Sequence, residues 1–179
     1  MSDWFTSPDE LIYQPEEILS MAIREHNPVR IFACFSSGND SIVSTHLAMQ
    51  HGAHEVFNIN TTIGIPEARQ HLYEVCDRFQ WPLRVKVPEM DYEKLVFTFG
   101  FPGPAKGHQF AYNRLKERCI AELIRETKHN NSDRVMLVTG IRRTESVQRM
   151  GYVTAVQRLG QRCGWLQFLT GRRQNVMPT

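Results

Sequence analysis

A short apolar segment that runs into a hydroxyl-rich turn constrains the fold of this chain most. Residues 29–35 form a continuous apolar run with β-branched and aromatic side chains, which is typical of a strand covered on both faces. Residues 36–41 contain one glycine and three serines, and helical spacing follows from Ser41 to Gln50. Such a turn presents backbone N–H groups and hydroxyls at a helix N-terminus, where phosphate binds. By spacing alone, an ordinary turn with a helix cap is an equal alternative.

Strands and helices alternate along the chain from residue 29 to residue 140. Further segments with these patterns are strands at 55–59, 83–87 and 134–139, helices at 15–27, 66–80, 92–99 and 108–128, a loop at 101–107, and a last strand at 165–169. This order predicts parallel strands joined by helical crossovers. We therefore expect an α/β fold in three layers, α/β/α, with a mostly parallel sheet. At 179 residues the chain is one domain, 1–179, with its core at about 28–150.

Composition and charge exclude several classes of protein. The formal net charge is only +2, so bulk electrostatics do not favour nucleic acid or an anionic membrane as a partner. Residues 1–4 do not begin a secretory signal, and no apolar run approaches the roughly 20 residues that span a bilayer. We expect a cytoplasmic protein without a membrane partner. The four cysteines are scattered and form no Cys-x-x-Cys pair, so they lack the ligand spacing of zinc ribbons and simple iron–sulfur sites.

Candidate binding residues follow the predicted strands. Asp40 cannot donate to phosphate, so it either caps a helix or helps to hold a metal ion. Arg142 and Arg143 follow the last parallel strand, and guanidinium groups bind phosphate or sulfate through two hydrogen bonds. The polar residues 60–62 end the second strand and can pair with adenine or ribose, or can simply cap the next helix. The basic residues around the long helix either bind phosphate or form a solvated face.

Four segments, taken together, resemble one known family. They are SSGNDS at 36–41, NTTIGIPE at 60–67, FPGP at 101–104 with RLK at 114–116, and GIRRTES at 140–146. The first is similar to the Ser-Gly-Gly-x-Asp-Ser pyrophosphate loop of the adenine nucleotide α-hydrolase (PP-loop) superfamily. The others resemble, in order, motifs of its phosphoadenosine phosphosulfate (PAPS) reductase branch. The resemblance covers about residues 30–150.

The resemblance implies cleavage or transfer at the α-phosphate of ATP or a PAPS-type nucleotide, without a protein nucleophile. The residues that would bind phosphate are Ser36, Ser37, Gly38, Asn39, Ser41, Lys106 and Arg114. The residues that would bind adenosine are Asn60, Thr61, Thr62 and Gly140. Asp40, Arg142 and Arg143 would be catalytic, with Asp40 orienting the loop or a hydrated Mg²⁺.

Departures from the family pattern keep alternatives open. Ser37 and Thr62 each replace a family glycine and add a side chain near the expected ligand. The reductases carry a Glu-Cys-Gly segment near the C-terminus, which residues 172–179 lack, and the paired cysteines of an iron–sulfur cluster are missing, so no cluster is expected. One alternative is a PAPS or adenylylsulfate reductase whose thiol comes from a sulfur-transfer partner protein or a missing tail. Another is a non-catalytic nucleotide-binding subunit. We expect a homo-oligomer, with nucleic acid a partner only as an acceptor.

Overall fold

A computed structural model describes residues 15–103, 106–142 and 169–170 of the chain. Its elements are α1 Pro15–His26, β1 Arg30–Cys34, α2 Asn39–Gln50, β2 Glu55–Ile59, α3 Pro66–Arg78, β3 Leu83–Lys86, α4 Tyr92–Phe99, α5 Lys106–Tyr112, a π-helical turn Asn113–Glu117, α6 Arg118–Thr127, β4 Val135–Thr139, β5 Ile141–Arg142 and β6 Leu169–Thr170. The predicted strands and helices before residue 100 are confirmed, with ends shifted by one or two residues. The predicted loop at 101–107 is too long, because helix begins at Lys106. Of the strand predicted at 165–169, residues 165–168 lie outside the described ranges.

The strand order places the carboxyl ends of β1 and β4 side by side. The four-stranded sheet has the order β3-β2-β1-β4, and its strands are all parallel. The chain therefore proceeds outward from β1 through β2 to β3, and then returns across the sheet to add β4 on the other side of β1. Parallel sheets bind ligands at such a reversal point, just beyond the carboxyl ends of the strands. The serine-rich loop after β1 lies at this point.

Three buried clusters define the layers. On one face of the sheet, α1 and α2 pack against β1 and β4, and α3 packs beside them against β1 and β2. On the other face, Leu123 and Ile124 of α6 pack against Phe32, Phe57 and Leu137. The residues of β1 alternate between the faces, as a strand with a two-residue repeat requires. The predicted three-layer α/β/α architecture is confirmed. Among the described residues, no helix has the length and apolar character to cross a membrane.

An ion-pair cluster joins the first three strands near their starts. Glu55 accepts hydrogen bonds from Arg30 and, through both of its oxygens, from Arg84 at 2.8 and 3.2 Å. Arg84 also lies over the ring of Phe32, 5.5 Å from its centre. Burial opposes ionisation of Glu55, but the two arginines outweigh it and lower the pKa of this carboxyl. The carboxylate therefore stabilises the folded state.

We expect Glu55→Gln to destabilise the fold by about 0.5–1 kcal/mol at neutral pH, because both arginines are partly exposed and water screens the pair. A lowered folded-state pKa means that the contribution is present above the unfolded value near 4.5 and is lost as the pH falls through the folded value. Urea unfolding of both proteins across that range measures this. The control is Glu74→Gln on the exposed part of α3, where the carboxylate accepts from the amide of Gln70. An unchanged difference between Glu55→Gln and the parent protein at low pH would contradict the assignment.

Candidate functional site

One serine hydroxyl organises the loop that joins β1 to α2. Ser41, in the first turn of α2, is buried, and its Oγ accepts hydrogen bonds from the backbone N–H of Ser36 at 3.2 Å and of Gly38 at 3.1 Å. Its Oγ also lies 3.1 Å from the hydroxyl of Ser36, and it donates to the carbonyl of Gly38 at 2.8 Å. The loop therefore folds around a single oxygen atom at the N-terminus of α2. The N–H groups of Ser36 and Gly38 are therefore satisfied within the loop, at the end of a helix where negative charge is favoured.

The two positions that depart from the family glycines both have positive φ angles. Ser37 has φ 65° and Thr62 has φ 66°, in the left-handed region that glycine adopts at least cost. The backbone therefore keeps the conformation that suits glycine, although a side chain is present. At Thr62 a local turn supports this conformation, because its N–H donates to the side-chain oxygen of Asn60 at 3.1 Å.

The loop after β2 is tied to both of its neighbours. The hydroxyl of Thr62 accepts from the backbone N–H of Tyr92 at 3.0 Å, which fixes this loop to the start of α4. On the other side, the side-chain amide of Asn58 donates to the carbonyl of Phe35 at 2.7 Å, where the serine-rich loop begins. Sequence reasoning missed Asn58, although a polar residue in the apolar strand 55–59 was the available signal. Asn60, Thr61 and Thr62 thus adjoin the loop after β1.

Gly140 brings the end of β4 against the first turn of α2. A Cβ atom at this position would lie 2.5 Å from Ser44 Oγ and 2.6 Å from the carbonyl oxygen of Asp40. Glycine is therefore required here by close approach, not by its φ angle. Ser44 is itself fully buried and donates to the carbonyl of Ser41 at 3.1 Å. The end of β4 therefore lies directly against the first turn of α2.

Three of the four candidate basic residues lie in described helices or strands. Arg114 lies in the π-helical turn, with its guanidinium 5.4 Å from the ring centre of Phe99 and 5.1 Å from that of Phe110. Rings on which a guanidinium stacks hold it in place and leave its N–H groups directed outward in its plane. Lys106 begins α5 and Arg142 ends β5. Arg143 lies outside the described residues.

The described cysteines are poor nucleophiles. Burial raises the pKa of the Cys34 thiol to about 12 and that of Cys76 to about 11. Burial also raises the pKa of Cys119, with help from the charge of Glu122. The thiolate is the reactive form, so these three residues are inert near neutral pH. Cys163 lies outside the described residues.

Two buried hydroxyls in the described part of the chain have no hydrogen-bond partner. They belong to Thr45 in the middle of α2 and to Thr139 at the end of β4. An unmade hydrogen bond of a buried group costs about 1–3 kcal/mol, so such groups are usually satisfied by water or a ligand. Thr139 lies at the crevice, and its neighbour along the chain is Gly140.

A resident metal ion has little support from the described side chains, which contain no group of three or more His, Cys, Asp or Glu in reach of one ion. Mg²⁺ commonly binds through one or two carboxylates together with substrate phosphates and water. Asp40, in the first turn of α2, is the acidic residue of the loop.

The parallel sheet, its reversal point and the loop closed around Ser41 define a three-layer α/β domain of the PP-loop type. The chain belongs to the phosphoadenosine phosphosulfate reductase domain family, whose model matches residues 30–159.

One solved structure agrees with this assignment of the fold. The chain is similar to phosphoadenylyl-sulfate (PAPS) reductase from Candida auris in a phosphate complex, with TM-score 0.61 and 14% identity over 88% of this chain and 72% of that one. It also matches NH3-dependent NAD synthetase from Campylobacter jejuni subsp. jejuni NCTC 11168 in complex with nitrate, with TM-score 0.49 and 14% identity over 79% of this chain and 58% of that one. A comparison with curated protein sequences finds no match.

Proposed function

We propose that this domain binds an adenine nucleotide in the crevice between β1 and β4, and that it cleaves or transfers at the α-phosphate. The observation that carries the proposal is the position of the loop after β1, which folds around Ser41 Oγ and leads into the N-terminus of α2 at the carboxyl ends of β1 and β4. Negative charge is favoured at this end of a helix. The phosphate complex of the similar reductase supports an oxyanion as the ligand of this fold.

In this proposal the chain contributes positioning and charge neutralisation instead of a covalent intermediate. Ser36, Ser37, Gly38, Asn39 and Ser41 hold the phosphates, and Lys106 and Arg114 approach them from the helix that follows residue 105. Asn60, Thr61, Thr62 and Gly140 line the adenosine part. Arg142 and Arg143 neutralise charge that develops on the leaving group, a contact of a kind worth about 2–4 kcal/mol in other enzymes. Mg²⁺, when bound with the nucleotide, would supply further neutralisation of the phosphates, with Asp40 as its carboxylate.

A sulfonucleotide reductase is the second candidate, and the family match favours it. Reduction would need a thiolate, and the raised pKa values of Cys34, Cys76 and Cys119 argue against these three residues. The thiol would then come from a sulfur-transfer partner protein or from a missing tail. A non-catalytic nucleotide-binding subunit is the third candidate.

Calorimetry with ATP, AMP, adenylylsulfate and PAPS, each with and without Mg²⁺, tests the proposal. We expect saturable binding of ATP that strengthens with Mg²⁺, and a loss of that strengthening in Asp40→Asn. Asp77→Asn on the exposed part of α3 is the matched control and should bind like the parent protein. Binding of none of the four nucleotides would refute the proposal.

Turnover assays separate the candidates. Release of pyrophosphate from ATP in the presence of an acceptor supports α-phosphate chemistry. Formation of sulfite from PAPS or adenylylsulfate with an added dithiol supports the reductase. Binding without either product, across a panel of acceptors and thiols, supports the non-catalytic subunit.

A further inference from the structure

The side chain of Thr139, whose hydroxyl oxygen is buried, lies on the side of the sheet opposite α2. Val135 and Leu137 of β4 pack against α6, and side chains two residues apart in a strand share a face. Thr139 therefore lies on the same face as Val135 and Leu137, at the carboxyl end of β4. Its register partner on β1 is Cys34, which packs against the same cluster.

On this face of the sheet, apolar side chains lie at the carboxyl ends of β1 and β2. Cys34, Ile59 and Ile120 are partly buried and adjoin the α6 cluster at the carboxyl ends of β1 and β2. The serine-rich loop and α2, by contrast, belong to the opposite face. A ligand with its phosphates at the N-terminus of α2 and an uncharged ring over the sheet edge would meet this apolar wall and one hydroxyl. A nucleoside has that combination of flat apolar faces and polar edge atoms.

We propose that Thr139 is a specificity-determining residue that hydrogen-bonds the nucleoside part of the nucleotide. The inference rests on the proposed function and adds a residue to it. In the described part of the chain the hydroxyl has no protein partner, so a ligand atom can take it as donor or acceptor without breaking an existing bond. Thr139 as a whole is only partly buried, and rotation about its Cα–Cβ bond redirects the hydroxyl.

The test compares ATP with inorganic tripolyphosphate, which carries the phosphates without the nucleoside. In Thr139→Val we expect ATP affinity to fall by about 5- to 20-fold and tripolyphosphate affinity to stay unchanged, while Thr139→Ser keeps the parent's affinity for both. Valine has nearly the same shape and favours strands, so the free variant should be at least as thermally stable as the parent protein. Thr45→Val removes the other unpartnered hydroxyl and should leave both affinities unchanged.

The experiment distinguishes failure of the role of Thr139 from failure of the proposed function. An equal loss for ATP and tripolyphosphate, or no loss for ATP, would overturn the role of Thr139. Absence of binding of both ligands by the parent protein would instead refute the proposed function. With 2′-deoxy-ATP, disappearance of the valine penalty identifies a ribose hydroxyl as the partner of Thr139, and its persistence identifies the base or the rest of the sugar; either result supports the role.

Discussion

Gly140→Ala is expected to destabilise the domain by about 2 kcal/mol and to weaken nucleotide binding at least tenfold, because the added methyl group overpacks a close contact. The added Cβ would lie 2.5 Å from Ser44 Oγ, 2.6 Å from the Asp40 carbonyl oxygen and 2.9 Å from its carbon. Cβ atoms do not tolerate such distances, so β4 and α2 must move apart. The serine-rich loop moves with α2, and the crevice changes shape.

Matched variants separate crowding from a general effect of alanine. Gly64 also has no positive φ, and a Cβ there would meet nothing within 4 Å, so Gly64→Ala should change stability by less than about 0.5 kcal/mol. Adding Ser44→Ala to Gly140→Ala should rescue little, because two of the three close contacts are to the backbone of Asp40. Urea unfolding and calorimetry measure both effects. A Gly140→Ala protein with the parent's stability and affinity would show that α2 does not define the crevice.

Ser41→Ala is expected to lower stability by about 1–2 kcal/mol and nucleotide affinity by about tenfold or more. The variant removes the acceptor for the N–H groups of Ser36 and Gly38. These groups are only partly buried, so water recovers part of the lost energy. We expect nucleotide affinity to fall by more than the loss of one hydrogen bond would cause, because the loop loses the atom around which it folds.

The control for Ser41 is one turn further along the same helix. Ser44 is also buried, but its hydroxyl donates only to a helix carbonyl that already accepts within the helix, so Ser44→Ala should keep nucleotide affinity. Thermal unfolding and titration of both variants with ATP provide the comparison. If the two variants bind ATP equally well, Ser41 is an ordinary buried serine and the organising role is wrong.

Local patterns predicted most of the elements because each has a strong local cause. The apolar run of β1, the proline that begins α3 and the aspartate that caps α4 all act within one turn or one strand. The long helix was less predictable. Its start at Lys106 follows a proline- and glycine-rich segment that is typical of a loop, and no sequence signal marks the π-helical turn at Asn113–Glu117.

The candidate site could be predicted as a set of segments but not as an arrangement. The motifs placed a loop after β1 and Gly140 after β4, yet only the strand order shows that these two segments meet. The hydrogen bonds of Ser41 stay within six residues of the chain, but the amide of Asn58 on Phe35 and the close approach of Gly140 join residues from different elements. Side-chain spacing along a chain carries no information on such contacts. The roles of the predicted site residues stay predictions for the binding experiments.

The return of β4 to the edge of the sheet beside β1 has a consequence for the order in which the site can form. Arg30 pairs with Val135, so the two walls of the crevice come from distant parts of the chain. Contacts between distant segments form slowly, because the entropy of closing the intervening loop is lost before they are made. A growing polypeptide that contains β1 to β3 already has the serine-rich loop, but it does not yet have β4, which ends beside that loop. In the proposed function, the binding site is therefore complete only after β4 has docked beside β1.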